Sequence, residues 1–383
     1  MREALALAER GRGFTSPNPR VGAVIVRDGQ VVGRGYHEAF GAAHAEVNAI
    51  AEAGERTRGA DVYVTLEPCC VWGKTPPCTD ALIEAGVRRV VVPVCDPNPD
   101  VAGRGLSILR DAGVLVETGC LEDEARLLNE PYFRYRATGL PAVTIKLAVT
   151  IDGRLTGGVS SDRWVTSETS RRRVHAMRGA SDAVLVGVGT VLADDPQLTD
   201  RRGAARRQPA RVIADSRLST PARSALLREA GPVRTILCCV ESPETVARAA
   251  QLTERGAEIW YMEAGSDGRV DMTLLLRRLA DDGMTDILCE GGATIATRLL
   301  DESLVTRVAF FIAPRMAGAA GVPALRALRA PTGLCDVSWE AIDRDALMTA
   351  RVEPHREEQR DAGRCGATPD RNDIKDVTTC SQD

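Results

Sequence analysis

His44-Ala45-Glu46 and, further on, Pro68-Cys69-Cys70-Val71-Trp72-Gly73-Lys74-Thr75-Pro76-Pro77-Cys78 decide how this chain is read. Either stretch alone says little. A His two residues from a Glu is common on helices, and a Cys is often only a small buried hydrophobe. Together they offer one imidazole, two thiolates and a nearby carboxylate. His44, Cys69 and Cys78 supply three ligands for Zn²⁺ and leave the fourth tetrahedral position open to water, whose pKa then falls to roughly 7. Glu46 is left to carry protons rather than to bind metal. A structural zinc site would need a fourth protein ligand, for which His37 or Cys70 is at hand. The open, catalytic arrangement is the one expected.

The same donor set serves the zinc base deaminases, and the surrounding residues narrow the class. Pro17-Asn18-Pro19-Arg20 leads into Val21-Gly22-Ala23-Val24-Ile25-Val26, and Thr65-Leu66-Glu67 precedes Pro68-Cys69. Asp96-Pro97-Asn98-Pro99 and Val101-Ala102-Gly103-Arg104-Gly105 follow the second Cys. The second half carries Lys146-Leu147-Ala148-Val149-Thr150-Ile151-Asp152-Gly153, then Trp164-Val165-Thr166-Ser167, Thr190-Val191-Leu192-Ala193-Asp194-Asp195-Pro196 and Glu290-Gly291-Gly292. On these motifs the chain resembles the bifunctional riboflavin-biosynthesis deaminase–reductase family over about residues 1–352. The long Cys69-to-Cys78 loop is that family's own variant.

The resemblance implies an α/β fold in two parts: an N-terminal cytidine-deaminase-like three-layer domain over 1–140 and a dihydrofolate-reductase-like domain over 141–352. It implies zinc-dependent hydrolytic deamination of a phosphoribosylaminopyrimidine, then NADPH-dependent reduction of its ribosyl group to ribityl. Glu46 is the implied acid–base group of the first step. Asn18, His37, Lys74, Asp96 and Asn98 are the implied deaminase substrate contacts. In the reductase, Lys146 is implied to steady the sugar imine and Glu290 to assist proton transfer, so both count as catalytic. Arg178, Leu198 and Arg201 are the implied substrate contacts there, and Ala148, Trp164, Thr190, Asp194, Ser216 and Gly292 the implied NADPH contacts.

Two positions depart from the family pattern. The family's Pro-Cys-Ser-His reads Pro68-Cys69-Cys70-Val71, so a side chain able to hydrogen-bond substrate has become one that cannot. The usual Ser two residues before Trp164 is Asp162, an anion expected near the substrate phosphate. These departures keep open a paralogue acting on a related pyrimidine, and a chain whose zinc part is only structural.

Composition agrees with a soluble enzyme of small molecules. A net charge of −4 and pI near 5.8 argue against a nucleic-acid binder. No apolar run is long enough to span a bilayer, and the charged amphipathic start lacks a secretory apolar core. Eleven Cys, two in a metal pattern, fit a reducing cytoplasm. Only Lys74, Lys146 and Lys375 are lysine among 49 basic residues, and the first two fall inside motifs. A homo-oligomer is expected. Residues 353–383 are polar and lack apolar periodicity, which predicts a disordered tail.

Periodicity predicts strands near 21–26, 31–35, 61–66, 89–94 and 114–117, with Asp28-Gly29 turning a hairpin. Helices are predicted at 43–53, with His44 in the first turn, at 79–85 with Thr79 as N-cap, at 105–112, and unbroken over 121–137. Each zinc-site Cys is expected at or just before a helix start, where thiolate is favoured. After a linker at 138–141, strands are predicted at 141–150, 182–188, 211–214, 234–239, 258–261 and 286–289. Helices follow at 166–178 and 293–300. The Gly291-Gly292 pair would let a phosphate approach the last helix start, although such pairs are also ordinary punctuation. No G-x-G-x-x-G opens a βαβ unit, so a Rossmann domain is not expected. Arg206 and Arg207 are either phosphate-facing or part of a solvated loop.

Overall fold

The computed structural model describes residues 1–155, 164–203, 207–228 and 233–353. The expectations for Asp162, Arg206 and the tail beyond Glu353 fall outside these residues. Strands β1 (Gly22–Arg27), β2 (Gln30–Tyr36), β3 (Asp61–Val64), β4 (Arg89–Val92) and β5 (Leu115–Thr118) form one sheet in the order β2-β1-β3-β4-β5. The first three are antiparallel neighbours, and β3, β4 and β5 run parallel. Asp28 and Gly29 turn the hairpin with φ of 49° and 77°, the pair of positive values that a type I′ turn demands.

Helices α1 (Arg2–Ala8), α2 (Ala45–Ala53), α3 (Cys78–Glu84) and α4 (Arg104–Asp111) complete this part. Helix α2 lies against β1 and β2. A Cβ on Gly35 would stand only 2.1 Å from the Ala45 carbonyl oxygen. Glycine on the strand and the buried stripe Ala45, Ala49, Ala53 on the helix are what allow that approach. It fixes where the start of α2 stands over the sheet. His44 is the N-cap of α2, with φ −74° and ψ 163°, rather than a residue of its first turn. Helix α3, by contrast, begins one residue earlier than expected. Pro77 is its N-cap and Cys78 its first residue, so Thr79 does not cap it. The consecutive prolines hold the chain extended up to that point.

The helix expected over 121–137 is two helices, α5 (Glu122–Leu128) and α6 (Glu130–Thr138), separated by Asn129 at φ −105°. Pro131 has no N–H to continue the ladder, and proline is tolerated only in a first turn. A new helix therefore starts around it.

The second sheet holds β6 (Ala142–Thr150), β7 (Ala183–Gly187), β8 (Ala210–Ala214), β9 (Thr235–Val240), β10 (Ala257–Met262), β11 (Asp286–Cys289), β12 (Arg307–Ala313), β13 (Leu334–Ile342) and β14 (Asp345–Val352). Their order is β10-β9-β8-β7-β11-β6-β12-β14-β13, parallel as far as β12 and closed by an antiparallel hairpin. Helices α7 (Glu168–Ala180), α8 (Val188–Asp194), α9 (Ala225–Arg228), α10 (Pro243–Thr253), α11 (Met272–Asp281) and α12 (Ala293–Asp301) accompany it. Helix α8 and strands β12 to β14 were not anticipated from periodicity.

Parallel strands bury both faces, and two clusters show it here. Val143, Ile145, Leu147 and Val149 join one core, while Val184, Val186, Ile213 and Leu237 join another. Strand alternation then puts Lys146 and Ala148 on the side of β6 opposite Ile145 and Leu147. No helix among the described residues is long and apolar enough to cross a membrane.

Candidate active sites

The start of α2, the loop after β3 and the start of α3 bring His44, Cys69 and Cys78 together, their ligand atoms all within 4.8 Å of one another. Both sulfurs face the same ring nitrogen: His44 Nδ1 is 3.2 Å from Cys78 Sγ and 3.4 Å from Cys69 Sγ. Ligands sharing a tetrahedral zinc stand roughly 3.6–3.8 Å apart, given metal–ligand lengths of about 2.1 and 2.3 Å. The donor set and its spacing fit that ion. His44 Nε2 is left to the Thr75 hydroxyl at 3.4 Å, and such a partner on the second nitrogen fixes the tautomer.

Cys69 stands in a loop, so a helix start does not favour its thiolate, contrary to expectation. Its neighbours do so instead. The Cys78 thiol, then His44, outweigh burial and hold Cys69 down at about 4, while the same thiol–thiolate contact and burial push Cys78 upward. A dication would draw both towards thiolate. Glu46, in the first turn of α2, is 3% exposed, and burial followed by the Cys69 charge lifts its carboxyl to about 7. Elemental analysis of the purified protein should find about one zinc per chain, the complement of one such site. Cys78→Ser should lose most of it; full occupancy in that variant would remove Cys78 from the site.

The neighbouring loops carry the other expected deaminase residues. Asn18 Nδ2 meets His37 Nε2 at 3.2 Å, and His37 Nδ1 donates to the Ala43 carbonyl at 3.1 Å. The His37 ring stands edge-on to His44 at 5.2 Å. The Lys74 ammonium sits 3.9 Å over the Phe40 ring, a cation–π contact. Asp96 is buried, and its Oδ1 accepts from the Asn98 N–H and the Tyr132 hydroxyl, each at 2.8 Å. Asn98 Oδ1 accepts from the Asp100 N–H at 3.3 Å.

Sequence reasoning missed Glu67. Buried between β3 and Cys69, it accepts backbone N–H groups of Asp96, Gly103, Gly105 and Leu106. It thereby ties the Asp96-to-Gly105 loop to the Cys69 loop. A carboxylate placed directly before Pro68-Cys69 was the available signal. Val71 is half-buried and Trp72 is 76% exposed, so Trp72 does not cover it.

In the second sheet, Lys146, Ala148, Trp164, Arg178, Thr190, Asp194, Leu198, Arg201, Ser216, Glu290 and Gly292 all line one cleft of about 1770 Å³. Its walls include the ends of β6, β7, β8 and β11, the carboxyl edge where open parallel sheets bind ligands. Ordinary ligand pockets run to roughly 300–1,000 Å³, so this one has room for a dinucleotide and a substrate together. A Cβ on Gly291 would fall 1.7 Å from Ile295 Cγ2, which makes this glycine a packing requirement. Gly292, the N-cap of α12, faces more open space, its added Cβ meeting only Thr190 Oγ1 at 3.9 Å.

Glu290 is the charge centre of the cleft. Arg178 donates to it twice, at 2.5 and 3.0 Å, and Lys146 Nζ lies 3.5 Å away. Burial works against the carboxylate, but Arg178 and then Lys146 outweigh it and hold Glu290 at about 2. A group ionised at every ordinary pH accepts hydrogen bonds and has no proton to lend. Arg178 gives a third donor to the Thr199 carbonyl at 3.1 Å, leaving two of its five. Leu198 is buried at a strained φ of 55°. The Ser216 hydroxyl accepts from the Val270 N–H at 3.0 Å. Arg201 donates to the Gln197 side chain, and its N–H lies 3.2 Å from His175 Nδ1. Arg207 pairs with Asp182 at 3.0 Å and keeps 34% of its side chain exposed.

A metal-ligand cluster on one sheet and a dinucleotide-sized cleft on the other are the organisation of a two-activity enzyme, hydrolytic and reductive. Comparison with known proteins bears on both halves. Residues 1–94 match the cytidine and deoxycytidylate deaminase zinc-binding region, and residues 141–348 match the RibD C-terminal domain. The riboflavin biosynthesis protein RibD of Aquifex aeolicus is 43% identical over 319 residues, 83% of this chain and 87% of that one. RibD of Escherichia coli K12 is 41% identical over 335 residues, 83% of this chain and 88% of its own. Among solved structures, Acinetobacter baumannii RibD superposes with a TM-score of 0.81 at 36% identity, covering 92% of this chain and 97% of that one. The Thermotoga maritima diaminohydroxyphosphoribosylaminopyrimidine deaminase/5-amino-6-(5-phosphoribosylamino)uracil reductase reaches 0.78 at 34% identity with the same coverage. The chain belongs to the RibD family, bifunctional deaminase–reductases of riboflavin biosynthesis. It joins a zinc-binding deaminase part to a reductase part of a kind that uses a nicotinamide cofactor.

Proposed function

We propose that residues 1–140 deaminate a diaminohydroxyphosphoribosylaminopyrimidine and that residues 141–352 reduce the ribosyl group of the product to ribityl with NADPH. The convergence of His44, Cys69 and Cys78 beside buried Glu46 carries this reading. Zinc held by those three residues would supply the Lewis acidity that makes water a nucleophile near neutral pH. Glu46 takes a proton from the attacking water and delivers one to the departing amine, so that ammonia leaves. Asn18, His37, Lys74, Asp96 and Asn98 hold the pyrimidine and its phosphoribosyl arm.

In the reductase, NADPH would supply the hydride, and Ala148, Trp164, Thr190, Asp194, Ser216 and Gly292 would line its place. Lys146 faces the sugar and stabilises the reacting imine. Glu290 acts as the anchor that orients Lys146 and Arg178, since its low pKa suits it to that and not to proton donation. The remaining donors of Arg178, together with Arg201, suit a phosphate. Thiolate ligands favour a reducing compartment, and we place the enzyme in the cytoplasm. Leu334, Val337 and Trp339, exposed on edge strand β13, support a homo-oligomer. The test is ammonia release by the zinc-loaded protein across a pyrimidine panel, followed by NADPH oxidation on the deaminated product. Failure on every pyrimidine despite bound zinc would sink the reading and leave the zinc part structural.

Val71 favours a second reading, a paralogue acting on a related pyrimidine with a less polar edge. Trp72, the next residue, is 76% exposed and does not replace the missing hydrogen-bonding group. If the pathway pyrimidine is the substrate, Val71→His should change kcat/KM towards it about tenfold or less. A paralogue should gain ten- to a hundredfold towards that pyrimidine while losing its native activity, the range of one restored polar contact of roughly 1–3 kcal/mol. Kinetics of the variant on both substrates measure the difference.

A further inference from the structure

One turn of chain at the start of α6 touches two loops of the first sheet and two strands of the second. Asn129 and Arg20 exchange a pair of hydrogen bonds: the Arg20 N–H donates to Asn129 Oδ1 at 2.8 Å, and Asn129 Nδ2 donates to the Arg20 carbonyl at 2.9 Å. Arg20 ends the Asn18-Pro19-Arg20 stretch, so this pair pins the loop that presents Asn18. Three residues along the same chain, the Tyr132 hydroxyl donates to Asp96 Oδ1 at 2.8 Å. That oxygen also takes the Asn98 N–H, which sets the direction of the whole carboxylate. Between them lies Glu130. Its side chain is 10% exposed and ion-pairs with Arg307 on β12 and, at 2.7 Å, with Arg351 on β14.

Each contact has an ordinary structural use. Their placement is less ordinary. Asn129 and Tyr132 hold the two loops assigned to substrate binding, yet neither lies on the first sheet or on a helix packed against α2. The residue between them is bound to the other sheet. Pro131 makes the arrangement stiff, because it fixes the first turn of α6.

We propose that Asn129 and Tyr132 are positioning residues for the deaminase substrate pocket, and that Glu130 ties their position to the docking of the second sheet. The inference rests on the assignment of Asn18, Asp96 and Asn98 as substrate contacts. It makes the reductase part a structural support for the deaminase pocket, apart from its own reaction.

Tyr132→Phe, made in the full chain, keeps the ring and removes only the hydroxyl. Deaminase KM is expected to rise about tenfold, the scale of one lost hydrogen bond to a charged group. The kcat, the zinc content and the reductase kinetics should stay at wild-type values. Glu130→Gln should raise the same KM, although the ion pairs of Glu130 run to the second sheet and not to either loop. Unchanged deaminase KM in both variants overturns the proposal, and so does a joint fall of kcat and zinc content in Tyr132→Phe. A rise with Tyr132→Phe alone overturns the tie to the second sheet. Asp96→Asn separates this inference from the assignment beneath it. Wild-type KM in that variant removes Asp96 from the substrate, whereas an impaired Asp96→Asn beside an unimpaired Tyr132→Phe overturns the positioning role only.

Discussion

Glu46→Gln is expected to keep its zinc and lose deamination by on the order of 10²-fold or more, the usual loss for a positioned acid–base group. The substitution preserves shape and removes one ionisable oxygen. His44, Cys69 and Cys78 are untouched, so metal content should match wild type. Glu46 is buried against the zinc-site thiols, with Cys78 in hydrogen-bond contact. An amide there can accept a hydrogen bond but cannot cycle a proton. Reduction of the already deaminated substrate should survive, because its residues line a cleft on the other sheet. Single-substrate assays of the two steps check this. Joint loss of both activities would show that the division of labour between the sheets is wrong.

The second large effect is expected at Glu290. Glu290→Gln should lower reduction by on the order of 10²-fold while deamination continues, because Lys146 and Arg178 lose the anion that orients them. The same change should cost stability. Breaking a buried pair by neutralising one partner typically costs about 3–5 kcal/mol, and here two cations would be left facing each other. Lys146→Ala should share the loss of reduction with a smaller loss of stability, since Arg178 still satisfies Glu290 through two hydrogen bonds. The pH dependence has a definite sign. Glu290 is held at about 2, below the ordinary carboxyl value of 4.5. Its contribution is therefore present above about 4.5 and disappears as the pH falls towards 2. Thermal unfolding at pH 7 and pH 3 should show wild type losing part of its advantage over Glu290→Gln on acidification. Unchanged reduction in both variants would make the pair scaffold.

What could be read in the sequence was local or chemical. The Asp28-Gly29 hairpin follows from two residues that tolerate positive φ. The parallel strands follow from short apolar runs, and the metal site follows from donor types that suit one ion. The break at Asn129 was legible too, had Pro131 been weighed above helix periodicity. A proline excludes a helix interior by the bonds of its own ring.

Other features depended on groups distant in the chain. The part played by Glu67 became visible only when its oxygens met four backbone N–H groups, those of Asp96, Gly103, Gly105 and Leu106. Glu290 read as a proton carrier by resemblance, and only its contact with Arg178, more than a hundred residues earlier, made it a fixed anion. Strand β12 is a short apolar run that pairs with β6, and β14 and then β13 add to it in turn, so their places in the sheet depend on partners distant in the chain. The amino-acid sequence by itself determined which ligands, turns and buried runs the chain possesses, since those properties belong to single residues and near neighbours. The tertiary structure alone decided which polar groups face one another. Burial strengthens those encounters by excluding water, and no local pattern records them.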